Sequence, residues 1–124
     1  MKRSQQREWV FKLIYEDSIN KISDVEKALA YHGLEDEDFI RDSINSYNEN
    51  YEKIEKTLQD SLNKRYGRLS RVEKAILFLS LNEMTYMDIP VSVSINEAVE
   101  LAKAYANNNA YQMINSVLGK IVRK

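Results

Sequence analysis

The sequence has no cysteine, one proline, one histidine, one tryptophan and only three glycines. Without Cys there are no disulfides and no thiolate chemistry, which fits a reducing compartment. With a single His, a metal site would have to be built from carboxylates, and these are spread along segments that read as exposed faces. No glycine-rich loop is present to cradle a phosphate. The serines fall at helix starts with no neighbouring base to activate them. The longest apolar runs are far shorter than the roughly 20 residues a bilayer crossing needs, and no apolar signal core follows the N-terminal charges. These absences point to a cytoplasmic protein without cofactor or catalytic machinery. Glu97 and Glu100 are the nearest approach to a carboxylate pair, and nothing in their surroundings would desolvate them. The lone His32 sits at a predicted helix end, where a cation is favoured.

The scarcity of Gly and Pro leaves few places to break a helix, and no segment shows the apolar/polar alternation of a sheet. The fold class is therefore all-α. A first helix is expected from about Arg3 to Asp17, turning Val10, Leu13, Ile14 and Trp9 inward. Ser23 with Glu26 has the spacing of a capping box for a second helix, which ends at His32-Gly33. A third opens near Glu37 and carries the stripe Ile40, Ile44, Tyr47, Tyr51, Ile54, Leu58 and Leu62 as far as Gly67. Ser70 and Glu73 form the next capping box. The helix behind it is apolar nearly all the way round, from Val72 to Met84, and should be the buried centre. Ser94 with Glu97 is read as a third box, ahead of Ile95, Ala98, Leu101, Ala102 and Tyr105. After the polar turn at Asn107-Asn108-Asn109, a last helix presents Ala110, Met113, Ile114, Val117, Leu118 and Ile121. At 124 residues this is one domain of six to seven helices, with subdomains expected at residues 1–67 and 70–124.

Charge is strongly segregated although the net value is only −1. Residues 1–15 carry Lys2, Arg3, Arg7 and Lys12 against Glu8 alone, whereas residues 16–60 carry 13 acids against 5 bases. Residues 61–124 return to a basic balance, 9 bases against 5 acids, with Lys64, Arg65, Arg68, Arg71 and Lys74 gathered about Gly67. A basic end beside an acidic middle suits one face for an anionic partner. Arg3 and Arg7 are four apart and so expected on one helix face, and spacing of four and five residues is taken to bring Lys12 to that face too. Eight tyrosines offer stacking surfaces. Tyr47, Tyr51 and Tyr105 fall on apolar stripes, which leaves Tyr15, Tyr66 and Tyr111 as candidates for partner contact.

Several strings narrow the field further. Arg7-Glu8 opens a segment running to Tyr15, and Val72-Glu73-Lys74-Ala75-Ile76-Leu77 lies mid-chain. Asp88-Ile89-Pro90 leads into I-N-E-A-V-E-L-A-K, Ile95 to Lys103, and Met113-Ile114-Asn115-Ser116-Val117-Leu118 closes the chain. Together they resemble the NusB family of bacterial transcription antitermination factors. The resemblance implies an all-helical, NusB-like bundle in two subdomains, found as monomers or homodimers. It implies binding to boxA-type RNA together with NusE, a ribosomal protein of the small subunit, and assembly with RNA polymerase over ribosomal RNA operons. The RNA surface would then comprise Lys2, Arg3, Arg7 and Lys12, with Asn109 and Met113 at its edge.

The chain departs from the family pattern in three places. Its opening run is Arg3-Ser4-Gln5-Gln6-Arg7 where the family often has more arginines. Met113 stands where Phe is common, and Asn109 where an acid is common. Asn115 matches the pattern and is expected to be structural. A helical protein-interaction module that has lost most RNA binding is the alternative reading.

Overall fold

The computed structural model describes residues 1–123. Among them are six α-helices and one short 3-10 helix, with no strand. Helix α1 spans Arg3–Ile19, α2 Val25–Tyr31, α3 Asp38–Leu62, α4 Arg71–Tyr86, α5 Val91–Tyr105 and α6 Ala110–Val122. The 3-10 helix Asn63–Arg68 joins α3 to α4.

The expected stripes face inward. In α1, Val10, Leu13 and Ile14 are buried, as is Phe11. Along α3 the buried series is Ile40, Ile44, Tyr47, Ile54, Leu58 and Leu62, with Tyr51 half-buried. Helix α4 is the centre, since every residue from Ala75 to Glu83 is buried. It begins with a complete capping box: Glu73 N donates to Ser70 Oγ at 3.1 Å, and Ser70 N donates to Glu73 Oε1 at 2.8 Å. At the end of α2, Gly33 takes the left-handed conformation, φ 71°, that closes the helix without Cβ strain.

Three expected boundaries shift. Asp24, not Ser23, caps α2, its Oδ1 accepting from Lys27 N at 3.1 Å. A carboxylate there also meets the positive end of the helix dipole, which a serine hydroxyl does not exploit. The third helix ends at Leu62 rather than running to Gly67. Asn63 takes φ 52°, which Asn tolerates better than most residues, and the chain tightens into the 3-10 turn. Helix α5 begins one turn before Ser94, at Val91. Pro90 is its N-cap, with φ near the helical value, and Ser94 is fully buried inside the helix. The Ser-x-x-Glu spacing of a capping box is also the spacing of two residues on one helix face, and here it is the latter.

Long-range side-chain contacts set the packing. Arg71 Nη1 donates to the Ser18 carbonyl at 2.8 Å, while Arg7 pairs with Glu83 at 2.8 Å, so α1 and α4 run antiparallel. Asn82 of α4 donates to the Ser43 carbonyl and accepts from Ser46 Oγ, fastening α4 to α3. Tyr47 of α3 donates to Asp17 Oδ2 at 2.6 Å at the far end of α1. Burial and the Asp17 carboxylate both push the Tyr47 hydroxyl well above its ordinary range.

This last bond tests the packing. A hydrogen bond to a charged acceptor contributes about 1.5–3 kcal/mol. Tyr47→Phe should therefore lower the free energy of urea unfolding by about that amount at unchanged slope. An unchanged midpoint would show that the bond carries no stability.

Candidate nucleic-acid interface

The basic opening of α1 divides into groups with different fates. Lys2 and Arg3 are exposed in its first turn, where the Lys2 amide donates to Gln5 Oε1 at 2.9 Å. The Arg3 guanidinium lies over the Phe39 ring at 3.9 Å from its centroid. A cation held on an aromatic face keeps its edge donors free, and some ordering cost is already met before an anion arrives. Gln6 is engaged with Glu37, its Nε2 donating at 3.0 Å.

Arg7 is not on this surface. It is 5 % exposed, and its Nε donates to Glu83 Oε2 at 2.8 Å, with Nη1 4.0 Å from Glu97 Oε1. Spacing from Arg3 placed it on the right side of the helix. What spacing could not show is that this side, one turn in, lies against α4. The role of phosphate contact expected for Arg7 is corrected accordingly: its charge is committed inside the protein. Around it, Ser94 Oγ donates to Glu83 Oε1 at 2.9 Å. Having one proton, Ser94 must accept from Ser80 Oγ, also at 2.9 Å. Burial pushes the Glu83 carboxyl above its ordinary value, and Arg7 and Ser94 pull it part of the way back.

Lys12 is exposed, but not beside Arg3. Nine residues are about two and a half helical turns, which puts the two on opposite sides of α1. The expectation of one common face is corrected by the contacts. Lys12 Nζ lies 5.1 Å from the Trp9 ring and 3.9 Å from Glu8 Oε1, whereas Arg3 packs on Phe39. Lys12 instead borders an apolar groove of about 220 Å³ lined by Phe11, Tyr15, Val72 and Tyr105. Tyr15 is thereby brought next to a cation. Tyr105, assigned from its stripe to the core, is 39 % exposed, with its ring 5.0 Å from that of Phe11. Burial, together with the Glu8 carboxylate, raises its hydroxyl.

Asn109 is exposed in a left-handed conformation, φ 67°, as the N-cap of α6, and Met113 is half-buried one turn later. Among the described residues, no hydrogen bond, ion pair or ring contact joins either to α1. Tyr66 and Tyr111 are half-buried and occupied: Tyr66 donates to Glu55 at 2.8 Å, and Tyr111 lies under Lys103 at 5.1 Å. Asn115, expected to be structural, is exposed and lines a groove of about 510 Å³ between α5 and α6. His32 packs against Trp9 with the rings tilted and their centroids 5.1 Å apart, a partner that the helix-end reading did not suggest. Glu97 lies 4.0 Å from Arg7, which it shares with Glu83, and Glu100 pairs with Lys103 at 3.8 Å, so the two carboxylates face different cations. Among the described residues there is no group placed to hold a metal ion, and no helix is long and apolar enough to cross a membrane.

Comparison with known proteins adds four findings. The sequence model of the NusB family matches residues 4–123. A transcription antitermination protein NusB of Clostridium novyi is 37 % identical over 132 aligned positions, covering 99 % of both chains. The structure of T. maritima NusB superposes with a TM-score of 0.87 at 27 % identity, covering 100 % of this chain and 92 % of that one. The fold also matches a structure of antitermination factors NusB and NusE in complex with dsRNA, with a TM-score of 0.83 at 20 % identity, covering 99 % and 98 % of the two chains.

Breaking a buried ion pair by removing one partner costs about 3–5 kcal/mol. Arg7→Ala should destabilise the protein by that amount at neutral pH. Since burial raises Glu83 above its ordinary 4.5, its favourable contribution is complete below that pH and lost as pH rises through the folded value. Removing Arg7 lifts the carboxyl further, so the deficit relative to wild type should widen as pH rises past the folded value of wild-type Glu83, where only the wild-type carboxyl ionises. Urea unfolding across that range checks this. A deficit independent of pH would exclude an unpaired Glu83 as its cause.

Proposed function

The chain belongs to the NusB family, and on that premise we propose that it is a non-catalytic, RNA-binding transcription antitermination factor. It engages boxA-type RNA together with NusE and joins the antitermination assembly on RNA polymerase. The observation that carries the RNA part is the first turn of α1, where Lys2 and Arg3 are exposed and Arg3 is already ordered over Phe39. Lys12 adds a third cation beside the aromatic groove. With Arg7 withdrawn, the α1 phosphate contacts number three rather than four, which makes intrinsic RNA affinity modest and dependence on the protein partner strong.

Asn109 and Met113 contribute differently. Asn109 presents a neutral amide at the edge of α6, where an acid would repel phosphate. Met113 supplies a flexible apolar surface, a poorer stacking platform than an aromatic ring. A second reading, a helical module that binds protein alone, is favoured by the inward turn of Arg7 and by the α5–α6 groove.

Fluorescence anisotropy of a labelled boxA-type RNA, with and without NusE at several salt concentrations, separates the two readings. Wild type should bind with steep salt dependence and more tightly with NusE. Lys2→Gln/Arg3→Gln should weaken binding by on the order of tenfold and reduce the salt slope by about 1.4, at about 0.7 per single-strand phosphate contact. Absence of RNA binding while NusE still associates would establish the protein-only module. In the same assay Asn109→Asp should weaken RNA binding severalfold, and equal affinity would remove Asn109 from the interface.

A further inference from the structure

The densest unassigned charge lies at the other end of α1 from Lys2 and Arg3. Residues 64–74 hold Lys64, Arg65, Arg68, Arg71 and Lys74 against Glu73 alone. The 3-10 geometry of Asn63–Arg68 matters here. With three residues per turn, Arg65 and Arg68 project from the same side, one above the other. Both are exposed, as are Lys64 and Arg71.

The nearby acids are committed elsewhere. Glu73 accepts from the Ser70 amide in the α4 capping box, and Glu55 accepts from the Tyr66 hydroxyl. Lys74 lies over the Tyr66 ring at 4.6 Å. Among the described residues, none of the five cations forms an ion pair with a carboxylate. Arg41, by contrast, binds both Glu26 and Asp38. Like charges held together without acids repel one another, and that cost is relieved when an anion sits among them. The N-terminus of α4 opens at the same place and adds its positive dipole end.

We propose that this turn is a second phosphate-binding pole, gripping the same RNA strand that Lys2 and Arg3 hold at the start of α1. The Arg71–Ser18 hydrogen bond fixes the turn at the C-terminal end of α1, and a helix of 17 residues is about 25 Å long. Along the axis of α1 the groove of Phe11, Tyr15, Val72 and Tyr105 lies between the poles, and Val72 adjoins Arg71, while Lys12 at the groove's edge faces away from Arg3. At roughly 3.4 Å per stacked nucleotide, spanning the poles takes on the order of seven nucleotides. The inference deepens the RNA-binding reading and rests on it.

The test is anisotropy with single-stranded RNAs of about five and about fifteen nucleotides, NusE present, the shorter being unable to reach both poles. Arg65→Gln/Arg68→Gln should leave the short RNA unaffected. On the long RNA it should lower affinity by on the order of fivefold and the salt slope by about 1.4. The substituted side chains are exposed, so the urea midpoint should not move. An unchanged slope on the long RNA, with Lys2→Gln/Arg3→Gln still weakening it, overturns the second pole and leaves the RNA-binding reading intact. Absence of wild-type binding to either RNA overturns both.

Discussion

Arg7 and Glu83 meet at 2.8 Å with side chains only 6 % and 2 % exposed. Taking two such charges out of water costs several kcal/mol apiece, so the pair persists only where geometry and further hydrogen bonds compensate. Here Ser94 donates to the free carboxylate oxygen and Ser80 to Ser94, while Glu97 stands at the far side of the guanidinium. The network draws on α1, α4 and α5 at once. It therefore fixes the rotation of α1 about its axis and not merely its proximity to α4. Once Arg7 points inward, Arg3 one turn earlier must lie at the rim over Phe39, and Lys12 must face solvent on the opposite side.

Much of the fold was legible because helical burial is periodic. The α3 stripe and the all-round burial of α4 follow from residue spacing alone, and the Ser70–Glu73 box and the Gly33 terminus follow from local chemistry. Ser94 and Ser23 were misread for a different reason. A serine followed three residues later by a glutamate satisfies the capping pattern equally well inside a helix or one residue before its true cap. What separates these cases is the partner of the hydroxyl. For Ser94 that partner is Glu83, on another helix.

The interface was less legible than the fold, for the same physical reason. The residue types were visible, but whether a cation is available to RNA depends on the acids around it, and those come from distant parts of the chain. Arg7 and Glu83 are 76 positions apart. Much of the acidic middle is answered locally instead. Arg41 clamps Glu26 and Asp38, and Lys56 pairs with Asp60 one turn away. That leaves positive ends flanking a middle that stays net acidic. Such an arrangement orients an anionic strand along α1 more than it raises net attraction.

Arg3 and Arg7 show how narrow the margin between the two roles is. They are the same residue type, one turn apart on one helix, and both approach Phe39, at 3.9 and 5.7 Å. One turn of depth brings Arg7 within reach of Glu83 and removes its charge from solvent. Arg3, short of any carboxylate, keeps its charge and finds only an aromatic face to rest on. A cation–π contact of this kind is worth about 0.5–1 kcal/mol at an exposed site, little enough for a phosphate to draw on the charge without breaking anything essential. The buried pair has no such freedom, because withdrawing Arg7 toward RNA would leave Glu83 charged and unpaired in the core. A charge committed inside the protein and a charge open to solvent thus occupy adjacent turns of one helix and yet remain separate.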